Sequence, residues 1–421
     1  MSDRAADSVE AVFREEWSRL LATLVRWVGD LDLAEEVAAD AMAVALERWP
    51  AEGVPAKPAA WLLTTARRRA VDLLRRRQTY AAKLAVLGVE AQRAESERLG
   101  AAAPDADMIG DDRLRLFFTC CHPALAADAR VALTLRYLAG LSTAEVARAF
   151  LVPETTMARR LVRAKHKIRD AQIPYRVPSA AELPARLPAV LSVIYVIFTE
   201  AYAASVGPTL VRPDLSDEAV RLARILHELL PSEREVTGLL ALLLLVDARR
   251  AARTDEAGDL VLLEDQDRSR WDRTMIDEGR SLVVDALRGR SPGPYAVQAA
   301  IAAVHDEAAR AEDTDWPQIV GLYDVLQALA PSALVELNRA VAVAMVDGPA
   351  AGLALLDELS GSGELDRYHP FHAAHARLLD QLGCFEEAAQ AYRRALDLAG
   401  NEPERAFLAR CLATAEARTN E

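Results

Sequence analysis

Residues Leu141 to Arg169 read LSTAEVARAFLVPETTMARRLVRAKHKIR, and the spacing within this stretch decides how the N-terminal part of the chain folds. Ser142 (or Thr143) stands where a helix begins, with Glu145 three residues after Ser142. In that arrangement a cap hydroxyl accepts from the third helical N–H while the glutamate returns a bond to the cap's own N–H. The helix runs through Phe150, and Leu151-Val152 then make a tight turn. Pro153 suits the start of a new helix, and Glu154 favours its positive end. Leu141, Val146, Ala147, Met157 and Leu161 fall on the inward sides. The pattern is a helix-turn-helix, in which the second helix enters a major groove with its N-terminal half against base edges. Thr155, Thr156, Arg159 and Arg160 occupy that half. Arg163, Lys165, Lys167 and Arg169 follow and suit phosphate contacts, which add salt-dependent affinity.

A second basic stretch lies upstream. Trp61–Tyr80, WLLTTARRRAVDLLRRRQTY, carries six Arg against one Asp. Leu62, Leu63, Ala66, Ala70 and Leu74 share one side of the expected helix, so Arg67, Arg68, Arg75 and Arg76 lie mostly elsewhere. Trp61 at the helix start can stack on an unpaired base or serve as plain core.

The charge of the whole chain, −13, argues against a nucleic-acid partner until its distribution is considered. Residues 178–421 hold 39 acidic residues and 23 Arg with no Lys, whereas residues 1–177 hold 27 basic and 24 acidic ones. Positive charge is therefore focused into the two stretches above. The polar, acidic N-terminus does not read as a signal sequence, and the apolar run Thr237–Val246 is too short to span a bilayer. The expected location is cytoplasmic, with no membrane partner. Four Cys in a chain of this length give no disulfide framework, and Cys120-Cys121-His122 lacks zinc-knuckle spacing; buried structural thiols are expected.

Apolar residues recur at helical spacing nearly throughout, which predicts an all-α fold. Helices are expected over Val9–Val28, from a cap at Asp32 to Arg48, over Ala59–Arg77 and over Ala129–Leu138. Residues 81–112 turn Ala-rich and then acidic (Asp105, Asp107, Asp111, Asp112), as a tether would. Pro174, Pro178, Pro184 and Pro188 mark the next boundary. The domains so delimited are 8–78, a linker over 79–112, 113–174, a helical extension over 178–330 and helical repeats over 331–418. In the last, Gly383-x-Phe385-x2-Ala388-x3-Tyr392-x2-Ala395-Leu396 is similar to the second half of a tetratricopeptide repeat.

Taken together the chain resembles the bacterial sigma-70 superfamily, extracytoplasmic-function type. Asp32-Leu-Ala34-Glu35-Glu36-Val-Ala-Ala-Asp40 looks like that family's polymerase-binding helix, the Trp61–Arg76 stretch like its −10 helix, and Ala129–Ala164 like its −35 domain. The resemblance implies that Asp32, Glu35, Glu36 and Asp40 bind core RNA polymerase. It further implies that Trp61, Arg67, Arg68, Arg75 and Arg76 contact −10 promoter DNA, and that Thr155, Thr156, Arg159, Arg160, Arg163, Lys165 and Lys167 contact the −35 element. Arg68 and Ala39 depart from the family, which usually has Asn and Gln there. Cys120-Cys121-His122-Pro123, Phe198-Thr-Glu200-Ala-Tyr202 and Leu337-Asn338-Arg339-Ala340 look like the subgroup with a long tetratricopeptide-like extension, thought to regulate in cis. Such a protein needs no cofactor or metal, is not an enzyme, and could bring its extension against its DNA-binding domains.

Two rival readings stand beside this one. A stand-alone helix-turn-helix regulator with a sensor or scaffold domain would share the −35-type motif without needing the acidic helix. An enzyme would draw on Asp265, Asp267, Arg268, Trp271, Asp272 and His305, although such clusters are more often caps and ion pairs. His372 and His375 could hold a metal only with further ligands, and none is evident nearby in sequence.

Overall fold

Every regular element is helical among residues 16–86, 109–288 and 292–419, which the computed structural model describes, with side chains for all of these except 76–86 and 109–111. Two isolated bridges, Gly207 with Asn401 and Thr254 with Leu260, do not extend into strands. The chain divides into two compact units, residues 1–194 and 195–421.

The first unit opens with α1 (residues 16–28) and α2 (Leu31–Glu52). Asp30, not Asp32, caps α2: the Leu33 N–H donates to Asp30 Oδ1 at 2.7 Å. The carboxylate of Asp32 is thus left for other work. Leu33, Ala34, Val37, Ala38, Ala41 and Met42 form the buried face of α2, while Asp32, Glu36 and Asp40 lie on its exposed side. The helix continues beyond Arg48 through Pro50, whose missing N–H is tolerated close to the end, and Gly53 closes it at φ +83°. Helix α3 (Pro58–Val86) buries Leu62, Ala66 and Ala70, and runs past the expected end at Arg77.

Helix α4 (Ile109–Cys120) begins before residue 113. Both ends of the expected linker are therefore helical, while residues 87–108, with Asp105 and Asp107, lie outside the described residues; so does the side chain of Asp111. Asp112 departs from the tether picture. It is 1% exposed and lies 3.5 Å from both Arg26 and Arg115, a buried anchor between α1 and α4.

The helix-turn-helix consists of α5 (Ala127–Tyr137), α6 (Thr143–Ala149) and α7 (Glu154–Asp170). Both bonds of the capping box form: the Ser142 N–H donates to Glu145 Oε2 at 2.7 Å, and the Glu145 N–H to Ser142 Oγ at 3.2 Å. Leu141, Val146, Ala147, Met157 and Leu161 are all buried. The turn is made by Leu151 at φ +51°, a left-handed conformation that costs a residue with a Cβ about 1–2 kcal/mol. Cys120 and Cys121 are buried, and burial pushes the Cys121 thiol up to about 11. Cys384 is exposed and Cys411 half-buried, so structural burial applies to the adjacent pair.

The division between units falls inside α8 (Leu183–Tyr202), just beyond the four prolines from Pro174 to Pro188 that mark the expected boundary. Thr119 donates to the Pro174 carbonyl at 3.4 Å, Tyr175 to the Ala22 carbonyl at 2.7 Å and Arg186 to the Phe118 carbonyl at 3.0 Å. These bonds hold the proline-marked segment to α1 and α4. By length and composition alone, α8 is long and apolar enough to cross a membrane, which the sequence reading missed; core helices pass the same test, and its Val190, Leu191 and Ile194 are buried.

The second unit continues with α9 (Pro213–Leu229), α10 (Arg234–Asp247), α11 (Arg273–Leu287) and α12 (Pro294–Glu307). The apolar run Thr237–Val246 is the heart of α10, which packs on α9, α11 and α12. At Gly238 a Cβ would lie 2.6 Å from the Ala296 nitrogen, so α10 and α12 meet there at backbone distance. Then come α13 (Trp316–Leu329), α14 (Ala333–Asp347), α15 (Pro349–Ser360), α16 (His369–Gln381), α17 (Phe385–Leu398) and α18 (Glu402–Thr419), each packing on the next. Ala388, Tyr392 and Ala395 are buried between neighbours, and Gly383 turns the chain at φ +78° between α16 and α17. This succession of hairpins fits a tetratricopeptide-like arrangement. Asn401 Nδ2 donates to the Ala204 carbonyl at 2.8 Å, which ties α18 back to the start of the unit.

Candidate nucleic-acid interface

The outward face of α7 carries the residues that the sequence assigned to DNA, with one exception. Thr155, Arg159, Arg163 and Lys167 are exposed and recur every four residues, which places them along one side of the helix; Thr156 and Arg160 are half-buried beside them. Val162 is 45% exposed on the same side, an apolar contact among cations. Arg163 Nε donates to its own helix at the Arg159 carbonyl, 3.4 Å away. This face can offer guanidinium forks and hydroxyls to base edges and phosphates.

Lys165 is the exception. Its ammonium is bonded to the carboxylates of Asp32 and Glu35 on α2, the latter at 3.1 Å. Burial pulls its pKa down, but the hydrogen bond to Asp32 and the charge of Glu35 outweigh that and raise it. In this arrangement Lys165 faces α2, not the open side of α7.

On α3, Arg68 is exposed on the helix surface, and Arg75, two turns on, lies on the same open side. The side chain of Arg76 lies outside the described residues. Arg67 departs from its expected role: its guanidinium stacks over the Trp27 ring of α1, 5.9 Å from the centroid, where desolvation and the neighbouring Arg26 depress its pKa. Trp61 is half-buried and meets Trp49 edge-on, with centroids 5.4 Å apart. The ring therefore packs against α2 and keeps part of its surface exposed.

The acidic patch on α2 is divided in the same way. Asp40 and Glu36 lie on the exposed side, whereas Glu35 is drawn into a cluster with α5 and α7. Its Oε1 accepts from Arg136 Nε at 3.0 Å and Nη2 at 2.7 Å, and its Oε2 accepts from the Tyr137 hydroxyl at 2.9 Å and from Lys165 at 3.1 Å. Burial pushes the Glu35 carboxyl up, but Arg136, Lys165 and the Tyr137 hydroxyl together overcome it and hold the pKa below its ordinary value. Arg136 also lies over the Trp17 ring at 5.2 Å and donates to the Leu141 carbonyl at 2.9 Å. Gly140 presses on the same indole: a Cβ there would sit 3.3 Å from Trp17 Cδ1. Sequence reasoning missed Arg136, Tyr137 and Trp17. Arg136 and Tyr137 close an ordinary amphipathic helix, and nothing local marks a partner a hundred residues away.

The residues considered for catalysis serve the backbone of the second unit. Asp267 accepts from the Ser269 N–H, and Asp272 caps α11 by accepting from Met275 N–H at 3.1 Å. Arg268 donates to the His305 and Ala308 carbonyls, both at 2.7 Å, at the negative end of α12. Arg249 pairs with Asp306 at 2.8 Å, and Trp271 lies beneath both guanidinium groups. His305 is depressed to about 3 by burial and these two arginines. His372 bonds the Asp366 carbonyl and His375 the Asp357 carboxylate, so their rings turn to separate partners.

Comparison with known families matches three parts of the chain. Residues 12–80 match Sigma-70 region 2, residues 118–168 match Sigma-70, region 4, and residues 186–287 match a family of unknown function, DUF6596. The chain is also 46% identical over 391 residues to the uncharacterized protein R00370 of Rhizobium meliloti (strain 1021), covering 92% of this chain and 91% of that one.

Proposed function

We propose that the chain, whose region 2 and region 4 matches support membership of the sigma-70 family, is an extracytoplasmic-function-type sigma factor that binds core RNA polymerase and directs initiation at its promoters. Region 2 and region 4 domains support a role in promoter-directed transcription. The observation that carries the reading is the order of those two regions together with the exposed face of α7 bearing Thr155, Arg159, Arg163 and Lys167. The compact type is supported by the short stretch, residues 81–117, that separates the two matches.

In this reading Thr155, Thr156, Arg159 and Arg160 meet base edges of the −35 element, with Arg163 and Lys167 on phosphates. Arg68 and Arg75, with the exposed part of Trp61, hold the −10 strand. Asp32, Glu35, Glu36 and Asp40 steer the acidic side of α2 onto a basic surface of the polymerase. The protein works in the cytoplasm, where the polymerase is, and the polymerase performs the chemistry. Residues 178–421, with their balance of −16, regulate activity in cis. Support for that is the strong charge contrast with residues 1–177.

Run-off transcription with core polymerase on randomised promoters tests the proposal. The full chain should select promoters without another sigma factor. Arg159→Ala should lower initiation about fivefold or more, the effect of losing one base contact of ~1–3 kcal/mol, while core binding persists. A chain that binds duplex DNA but initiates only when a different sigma factor is supplied is a stand-alone regulator, and the proposal fails.

A further inference from the structure

We infer that the Glu35 cluster is an autoinhibitory latch between the two DNA-binding modules. In the free chain it engages Asp32 and Glu35 of α2 with Lys165 of α7 and with Arg136 and Tyr137 of α5, and its opening admits polymerase and DNA. The inference rests on the sigma-factor reading, which makes those two sides binding surfaces.

Saturation is the first argument. A carboxylate has about four acceptor positions. At Glu35 they meet four donors: two from Arg136, one from Tyr137 and one from Lys165. No position is left for a basic surface of another protein while the cluster stands. Lys165 is equally committed, to Asp32 and Glu35, and cannot serve a phosphate at the same time.

Placement is the second. The two sides of the cluster come from segments that match separate domains, region 2 for Asp32 and Glu35, region 4 for Arg136, Tyr137 and Lys165. The contact therefore belongs to neither module's own core. Arg136 is its hub, clamped between Glu35, the Leu141 carbonyl and the Trp17 ring.

Exchangeability is the third. The side chains of Arg136, Lys165 and Glu35 are 14%, 15% and 20% exposed, so the cluster reaches the surface. Phosphates offer Lys165 the charge it has in Asp32 and Glu35, and a basic surface offers those carboxylates the charge they have in Lys165 and Arg136. Opening exchanges one set of ion pairs for another, so a partner's differential affinity can drive it.

The test uses full-length protein with Tyr137→Phe, and with Arg136→Met combined with Tyr137→Phe. Neither residue is among those assigned to DNA or polymerase, and Phe keeps the shape of the buried ring. Anisotropy of a fluorescein-labelled mixed-sequence duplex reports the competent fraction of free chain, because apparent affinity scales with that fraction. The double variant should bind roughly five- to tenfold more tightly than wild type, within the usual range of such couplings, and Tyr137→Phe should fall between. With saturating core polymerase, where the latch is already open, all three proteins should initiate equally. Equal free affinities for wild-type and variant chains that melt as folded proteins overturn the latch. So does lost initiation by a folded variant, because Arg136 or Tyr137 would then act in the open complex itself. The two readings fail separately: wild type that cannot initiate with core sinks the sigma-factor assignment, whereas wild type that initiates but shows no affinity gain in the variants sinks the latch alone.

Discussion

Two clusters of arginine and carboxylate in this molecule are built from the same groups and are physically opposite. Around Glu35 in the first unit, three residues of α5 and α7 bring four donors onto α2 at a margin reached by solvent. Around Asp306 in the second unit, Arg249 and Arg268 are sealed over Trp271, and the side chains of Arg249 and Asp306 are 6% and 0% exposed. The first cluster joins two modules; the second closes the end of one helix. The difference lies in desolvation. A pair taken wholly out of water cannot be opened without stranding a charge, so it acts as a fixed fastening. A pair at the margin recovers hydration or a new partner when it separates, so it can act as a reversible one.

The comparison breaks if the two clusters respond alike to the loss of a partner. Arg249→Ala should destabilise the second unit by about 3–5 kcal/mol, the usual result of leaving a buried carboxylate unpaired. Denaturant unfolding measures it, and a loss under about 1 kcal/mol would place Asp306 in contact with water. Glu35→Gln should cost the first unit less, about 1–3 kcal/mol for charge-assisted bonds at a partly hydrated site. A smaller step sharpens the contrast by removing a bond that belongs to neither cluster. Ser142→Ala deletes the cap of α6 and should cost about 1 kcal/mol; a much larger loss would mean that the turn also holds the modules together.

The subtlest effect is a difference of sign with pH. Glu35 is held below its ordinary value, so its contribution is complete above about pH 4.5 and is lost as pH falls through the lowered folded value. Asp306 is displaced the other way: burial raises it, more than Arg249 lowers it. The protonated form is then favoured on folding, so its contribution to the second unit grows as pH falls through the raised value towards 3.8. Acid unfolding of wild type, Glu35→Gln and Asp306→Asn should show that the first substitution removes a loss of stability in acid and the second removes a gain. Slopes of the same sign would contradict the environments assigned to these two carboxyls.

Much of the candidate interface was legible in the residues themselves. The capping box at Ser142, the turn at Leu151 and the inward set Leu141, Val146, Ala147, Met157 and Leu161 follow from contacts three or four residues apart, and the structure has each of them. The cap of α2 was misplaced by two residues because Asp30 and Asp32 are both good caps, and only the geometry of the Leu33 N–H separates them. Leu151 was read as part of a turn, but its left-handed φ was hidden, since a leucine does not advertise that conformation as a glycine does. Arg67 read as a DNA contact because helical periodicity says which side chains leave the core, not that Trp27 lies across from one of them.

Sequence alone determined the all-helical character, the helix-turn-helix, the focus of positive charge into Trp61–Tyr80 and Leu141–Arg169, and the succession of hairpins towards the C-terminus. Those properties arise from interactions within one turn or between neighbouring helices, where spacing along the chain is spacing in space. Only the tertiary structure decided that Glu35 meets Arg136, Tyr137 and Lys165, that Asp112 is buried, and that the first unit runs on to residue 194. These depend on which distant surfaces come together, and a carboxylate carries no local mark of the cation it will find a hundred residues away.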